Sequence, residues 1–159
     1  MANYCMNKLT VQGDAKELGR FRTAVWKSEE EPLWFGGTVP MPIELEGTQS
    51  PSKLSLPKRI DLKLKYGSDN WYDWQLDNWG CKWGPYDGVR DPKETSYKNG
   101  TGKLVYHFDT PWGPPTQWLI NTSKLFPTLT FSNYCNEEGM GFKGTETIIN
   151  GKMIKSTVK

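Results

Sequence analysis

The chain has 159 residues, the size of a single domain, and its 36% hydrophobic and 24% charged residues exclude a disordered segment. Twenty Lys and Arg against eighteen Asp and Glu give a formal net charge of +2, which excludes the broad positive field that nonspecific duplex binding requires. No apolar run approaches the roughly 20 residues of a membrane helix, and no long h-region follows Met1, so we expect a cytoplasmic protein without a membrane partner.

Residues 4–12 are predicted to form the first strand, because apolar and polar side chains alternate there with the strand period of two. Gly13 and Asp14 follow as a turn and a helix N-cap, and apolar residues at helical spacing predict a helix over residues 14–27. We expect that helix to pack on the sheet that the strand belongs to.

The next stretch contains a predicted strand, an insertion and a short helix. Leu33–Val39 is predicted to be a strand that ends at Pro40, because proline cannot donate a hydrogen bond into a ladder. Residues 43–70 have no clear period and are predicted to be an inserted segment or long loop. A Trp-rich helix is predicted over Trp71–Trp79, before a Gly-, Pro- and Asp-rich turn region at residues 84–102.

The C-terminal half is predicted to contain a strand, a helix and a β-meander. Their ranges are Leu104–Asp109, residues 114–126, Thr128–Cys135, Met140–Ile149 and Lys152–Val158. Prolines suit the first turn of that helix, and Asn150-Gly151 is the preferred two-residue hairpin turn.

This order of elements predicts one α+β domain over residues 1–159. Two strand-helix-strand units place their helices on one face of an antiparallel-rich sheet, which is the ferredoxin-like plan. The additions to that plan are the insertion at about residues 43–70 and the extra Trp-rich helix.

Five distinctive stretches follow one another along nearly the whole chain. They are MANYCMNKLTVQG at the start, VPMP at 39–42, YDWQLDNWGCKWG at 72–84, FDTPWGPPTQWL at 108–119 and EEGMGFKG at 137–144. In these stretches the sequence resembles the YubB ferredoxin-like family of plasmid and phage proteins. The resemblance implies a ferredoxin-like fold without an iron-sulfur cluster, and it supplies no reaction or catalytic residues to transfer.

Tryptophan is concentrated in the middle of the chain, where six of the eight lie between residues 71 and 118. A helical arrangement of residues 71–79 puts Trp79 on one side and both Trp71 and Trp74 on another. The first side is expected to meet the sheet. The second meets the insertion, another subunit or a flat ligand, so Trp71 and Trp74 are the better candidates for binding.

The predicted binding surface combines tryptophan rings with nearby cations. Its candidate residues are Trp71, Trp74, Trp83, Lys82, Arg90 and Lys143. Rings would stack on a nucleotide-derived ligand while the cations contact its phosphates, whereas a protein partner would need a broad exposed patch. No cofactor is expected.

Other motifs favour structural interpretations. The G-x-G-x-x-G spelling at residues 139–144 precedes a predicted strand instead of the helix of a dinucleotide fold, so it predicts a bulged β-turn. His107 lacks a partner nucleophile, and the adjacent Glu137 and Glu138 are typical of a solvated turn. The cluster of Lys58, Arg59, Lys63 and Lys65 is either a solvated face or a phosphate contact.

The three cysteines, at positions 5, 81 and 135, are too widely spaced to predict a disulfide framework or a zinc site, and we expect buried thiols. No nucleophile, metal set or acid-base pair is in view, so we expect a protein without enzymatic activity. The resemblance to plasmid and phage proteins implies an accessory protein that binds a host component. Counter-defence is one such role, by sequestering a nucleotide signal or blocking a host defence protein. The alternative is a single-stranded nucleic-acid-binding accessory protein, which the small net charge disfavours.

Overall fold

The computed structural model describes residues 3–85 and 92–159, and these ranges form one sheet with helices on one side. The strands are β1 (Tyr4–Asp14), β2 (Lys93–Ser96), β3 (Thr101–Pro111), β4 (Thr130–Glu137), β5 (Phe142–Ile149) and β6 (Lys152–Ser156). The helices are α1 (Ala15–Val25), α2 (Leu56–Tyr66), α3 (Trp71–Trp79) and α4 (Thr116–Leu125). The strand order is β2-β3-β1-β4-β5-β6, and every pairing is antiparallel.

Strand register sorts the side chains into a helix-covered face and an open face. Leu9 stands opposite Tyr106 on β3 and Asn133 on β4, so alternate residues of the neighbouring strands share its side. The strand residues that join the hydrophobic core all lie on this helix-covered face: Leu9, Val11, Leu104, Tyr106, Phe108, Phe131 and Ile148. The predicted alternation in β1 is confirmed.

Aromatic rings join the helices to the covered face. The α1 ring of Phe21 makes edge-to-face contacts with three rings, those of Tyr106, Phe126 and Phe131, at centroid distances of 6.0, 5.4 and 5.4 Å. Trp118 of α4 is fully buried and stacks on Phe35 at 4.4 Å. The predicted N-cap of α1 is also confirmed, since the Asp14 carboxylate accepts the N–H groups of the first helical turn.

Two predicted turns have the expected backbone. Asn150 and Gly151 have φ values of 47° and 78° between β5 and β6, which is the pattern of a type I′ hairpin. The G-x-G-x-x-G segment lies in the β4–β5 hairpin and leads directly into β5, so no helix follows it. Its interpretation as a β-turn is confirmed, but the predicted bulge is wrong, since the β4–β5 register has no shift.

The predicted strand at Leu33–Val39 is wrong. This segment contains a 3₁₀ turn at Phe35–Gly37, and both Leu33 and Phe35 are buried. A Cβ atom on Gly37 would lie 2.0 Å from the carbonyl oxygen of Ala24, so glycine permits a close approach to α1 that an ordinary strand would not make. The apolar residues of the segment enter the core from a loop and mimic a strand pattern.

Two elements were not predicted. Residues 43–70 contain α2, which ends at Gly67 with a left-handed φ of 79°, and the region 84–102 contains the edge strand β2. Helix α2 buries Leu62 and partly buries Tyr66, whereas Leu56, Ile60 and Leu64, which repeat at helical spacing, are exposed. Through Leu62 and Leu45, the insertion contributes to the hydrophobic core.

The Trp-rich helix is confirmed as α3, but the division between Trp74 and Trp79 is wrong. Both rings are 6% exposed, and they make an edge-to-face contact at 5.6 Å. The insertion adds core residues beyond the sheet, so α3 is buried on two sides and has only a narrow solvent-facing stripe. The indole N–H of Trp79 donates to the Val39 carbonyl at 2.9 Å.

Replacing either Trp74 or Trp79 with Ala is expected to lower the free energy of unfolding by about 3–5 kcal/mol, because each change empties a large core volume. Urea unfolding followed by fluorescence measures the effect. Trp112→Ala, which removes a half-exposed ring, is the control and is expected to cost less than either. A Trp74→Ala variant as stable as the wild type would contradict this packing.

A strip of buried polar side chains crosses the helix-covered face near one end of the sheet. The Asn7 side-chain amide donates to the Thr110 hydroxyl at 2.8 Å, and the Asn133 side-chain amide donates to the Asn7 side-chain oxygen at 2.9 Å. Glu146, opposite Asn133 and 7% exposed, accepts from the Thr116 hydroxyl. Burial raises the pKa of the Glu146 carboxyl, and the hydrogen bond from Thr116 partly opposes that rise.

Glu146→Gln is expected to raise the free energy of unfolding at pH 7 and to change it much less at about pH 4. Because the native pKa lies above its ordinary value of 4.5, the native state holds this proton more tightly than the unfolded state does. The stabilisation that comes from this tighter proton binding is complete at pH values below the pKa of the unfolded state. It is lost as the pH rises through the pKa of the native state. A glutamine side chain at position 146 stays neutral and avoids this loss, and its oxygen still accepts the hydrogen bond from the Thr116 hydroxyl.

Urea unfolding of both proteins at the two pH values measures the difference. Thr116→Val is the control, because it removes the hydroxyl donor and leaves the carboxyl in place. An equal effect of Glu146→Gln at both pH values would show that ionisation of Glu146 is not its source.

Candidate functional site

An ammonium group lies between two exposed tryptophan rings beside the C-terminus of α3. The Lys82 Nζ atom is 4.6 Å from the ring centroid of Trp83 and 4.2 Å from that of Trp112. These distances are well within the range of cation–π attraction. Trp83 is 49% exposed and Trp112 is 43% exposed, so both rings also face solvent. We call Trp71, Lys82, Trp83 and Trp112 the tryptophan–lysine surface.

The backbone at both exposed rings is left-handed. Trp83 has a φ of 61° and Trp112 a φ of 66°, and among the described non-glycine residues only Asn150 shares this conformation. Such a φ is ordinary for Asn in a hairpin but costs a bulky residue roughly 1–2 kcal/mol. Strained residues of this kind concentrate at ligand-binding and catalytic positions.

Hydrogen bonds hold both strained residues in place. The backbone N–H of Trp83 donates to the Gln75 side-chain oxygen at 2.7 Å, and the Cys81 thiol donates to the Trp83 carbonyl. The backbone N–H of Trp112 donates to the Asn3 carbonyl at 2.8 Å. Gln75 is buried in α3, so the position of Trp83 is set by the helix as well as by its loop.

A shallow cleft opens beside Trp83. It has a volume of about 310 Å³ and is lined by Met41, Glu46, Gly47, Thr48, Trp71, Gln75 and Trp83. The Thr48 hydroxyl accepts the backbone N–H of Trp71 at 3.0 Å, which ties the insertion to the start of α3. The insertion therefore forms one wall of the cleft and α3 forms the other.

The chemistry of this surface is suited to binding. Cys81 is the nearest thiol, but burial raises its pKa to about 12, so it is protonated at neutral pH and is a poor nucleophile. Glu46 is exposed at the cleft, and Lys82 lies against Trp83, which lines the same cleft, so the surface carries one charge of each sign. Indole faces and two opposite charges can hold an apolar or aromatic group and orient a polar one.

The structure brings together three of the six predicted site residues. Trp71, Lys82 and Trp83 lie on the tryptophan–lysine surface, while Trp74 lies beneath it in the core and is too buried to stack on a ligand. Lys143 lies on the open face of the sheet, in β5 opposite Asn136. Arg90 is outside the described residues. Its placement in the site stays a prediction.

Sequence reasoning missed Trp112. Its signal was present in the stretch FDTPWGPP, where a tryptophan stands between prolines and a glycine just after a strand. Prolines and glycines mark a tight turn, and a large ring in such a turn has few ways to reach the core. The pairing of Trp112 with Lys82 joins segments 30 residues apart, which no local pattern reveals.

Glu137 and two residues of the basic cluster have structural roles in the described ranges. The expectation of a solvated turn is wrong for Glu137, whose buried carboxylate accepts the backbone N–H groups of Gly139 and Met140 and so organises the β4–β5 turn. In the basic cluster, Arg59 and Lys63 face the Asp69 carboxylate at 3.0 and 3.8 Å. His107 is exposed on the open face.

The described residues contain neither a metal-binding cluster nor a membrane-spanning helix. No group of three or more His, Cys, Asp and Glu side chains is placed to hold a metal ion. Among the same residues, no helix combines the length and apolar character needed to cross a bilayer. All three cysteines are free and buried, so the predicted burial of the thiols is confirmed.

The sheet, its covering helices and their order define a ferredoxin-like α+β protein. Residues 86–159 match a family model described as the ferredoxin-like domain in Api92-like protein. The chain is also similar to the crystal structure of protein Api92 from Yersinia pseudotuberculosis, with 12% identity and a TM-score of 0.60 over 100% of this chain and 98% of that one. No curated protein matches the sequence.

These comparisons confirm the predicted fold class. The relatives that they name are Api92-like, and neither name mentions YubB, a plasmid or a phage, so that resemblance stays a prediction. At 12% identity, the similarity to Api92 establishes a shared fold alone.

At positions 83 and 112, glycine is expected to be more stable than alanine by about 1 kcal/mol, because glycine adopts a positive φ without strain. Urea unfolding of the four single variants measures this difference. Trp34 is the matched control, since it is 39% exposed and lies near Lys27 but has a φ of −125°. There alanine should be the more stable. If the order of stability of the glycine and alanine variants were the same at all three positions, the left-handed backbone would not be retained at positions 83 and 112.

Proposed function

We propose that this protein is a non-enzymatic binding protein that engages a protein partner through the tryptophan–lysine surface. The observation that carries the proposal is the position of Lys82 between two exposed, backbone-strained tryptophans. Folding stability gains little from exposed rings in a costly conformation, whereas a binding surface gains rigid anchors. Tryptophan is among the residues most enriched in the energetic centres of protein interfaces.

A protein partner fits this surface better than a nucleotide-derived ligand. The cleft of about 310 Å³ is at the small end for ligand pockets, and it lies open beside rings that extend the apolar area further. Phosphates would also meet the exposed Glu46 carboxylate, which repels them. Among the described residues of the site, Lys82 supplies the positive charge, and its ammonium group already contacts two rings.

The resemblance to plasmid and phage proteins supports a host protein as the partner. A mobile element gains from blocking a host defence component, and a rigid aromatic surface can occupy a site on such a protein without any catalysis. We therefore propose a counter-defence role in the host cytoplasm.

Trp83→Ala combined with Trp112→Ala is expected to weaken partner binding by more than tenfold, or about 1.4 kcal/mol. Tagged wild-type and variant proteins are expressed in host cells, and the captured partner is then purified and titrated by calorimetry. Trp34→Ala is the matched control, because it removes an exposed ring near a lysine elsewhere on the molecule. It is expected to bind the partner as the wild type does.

A parallel titration tests the nucleotide alternative with AMP, ATP and cyclic di-GMP. One result would favour a small ligand over a protein partner. In that result one of these nucleotides binds the wild type, Trp83→Ala loses this binding, and no protein partner is captured. A captured partner that binds the double variant as tightly as it binds the wild type would overturn the proposal.

A further inference from the structure

Charge on the sheet is sorted by face. All six lysines of the described strands lie on the open face by register: Lys8, Lys93, Lys103, Lys143, Lys152 and Lys155. The three strand glutamates, Glu94, Glu137 and Glu146, lie on the helix-covered face. The acidic strand residues on the open side are Asp109 and Asp14, whose carboxylate caps α1. A chain with a net charge of +2 thus has one strongly basic face.

Protection of sheet edges explains only part of this pattern. Lysines on edge strands discourage pairing with other chains, and Lys93, Lys152 and Lys155 lie on the edge strands β2 and β6. Lys8, Lys103 and Lys143 lie on β1, β3 and β5, each of which has a neighbouring strand on both sides. Their positions in the middle of the open face need another explanation.

Aromatic side chains share the centre of this basic face. Lys8 lies opposite His107 on β3 and Tyr134 on β4, so a histidine, a lysine and a tyrosine form one row across three central strands. The next rows along β1 bring Met6 and then Tyr4, which is 50% exposed. Neighbouring strands are about 4.8 Å apart, so these groups form a continuous surface.

We propose that the open face of the sheet binds single-stranded nucleic acid. Lysine ammonium groups contact the phosphates, while Tyr134, Tyr4 and His107 offer ring faces to unstacked bases. Charge complementarity selects a polyanion, and the rings select exposed bases over a duplex whose bases are stacked inside. The residues of the open face are separate from those of the tryptophan–lysine surface, so each of the two proposals can be tested independently of the other.

Fluorescence anisotropy of labelled dT12 and U12, at 50–200 mM salt, tests this proposal. Lys8→Gln and Lys143→Gln are each expected to weaken binding severalfold and to reduce the slope of log Kd against log salt by about 0.7. Tyr134→Leu is expected to weaken binding about tenfold with an unchanged slope, because it removes stacking and no charge. Thermal melts of every variant confirm folding.

Lys58→Gln is the charge-matched control, since Lys58 is exposed on α2, away from the open face. Trp83→Ala is the second control, and oligonucleotide binding is expected to survive it. A difference between dT12 and U12 tells whether DNA or RNA is preferred.

Several results would overturn the proposal: no binding of either oligonucleotide at 50 mM salt, equal loss in Lys58→Gln and Lys8→Gln, or an unaltered affinity in Tyr134→Leu. Equal affinity for heparin or for phosphatidylserine vesicles, with no effect of Tyr134→Leu, would identify a general polyanion surface in place of a nucleic-acid site.

Discussion

The antiparallel register of β1 is the constraint on which the rest of the structure depends. β1 pairs with β3 on one side and with β4 on the other, so its alternation decides which side chains of all three strands share a face. A shift of one residue would turn Leu9 and Val11 towards solvent and Lys8 towards the helices. The core, the buried polar strip and the basic open face all follow from this single pairing.

The same core supports the exposed tryptophans. Phe35 stacks on Trp118 and meets Trp79 edge-on, and Trp79 in turn contacts Trp74, so buried rings form a continuous layer under α3. Gln75, buried in that helix, holds the backbone of Trp83. An interior packed this closely has a low compressibility, so the exposed rings rest on a rigid base.

Local patterns in the sequence predict the elements whose formation is decided locally. The alternation in β1, the Asn150-Gly151 turn and the Asp14 cap are examples, and each is present. Patterns failed where a distant segment decides the outcome. Trp74 is buried because the insertion completes the core around α3, and Trp112 meets Lys82 across a gap in sequence. A helical wheel contains neither piece of information.

The central position of β1 also has a consequence for biosynthesis. Its Gln12 pairs with Lys103 and Thr130, which the ribosome adds about 90 and about 120 residues later. At roughly 5–20 residues per second, β1 waits on the order of 6–24 s for its second neighbour. During that interval an extended segment with two unsatisfied backbone edges is exposed to the cell. The sheet around β1 is therefore completed only after most of the chain has been synthesised.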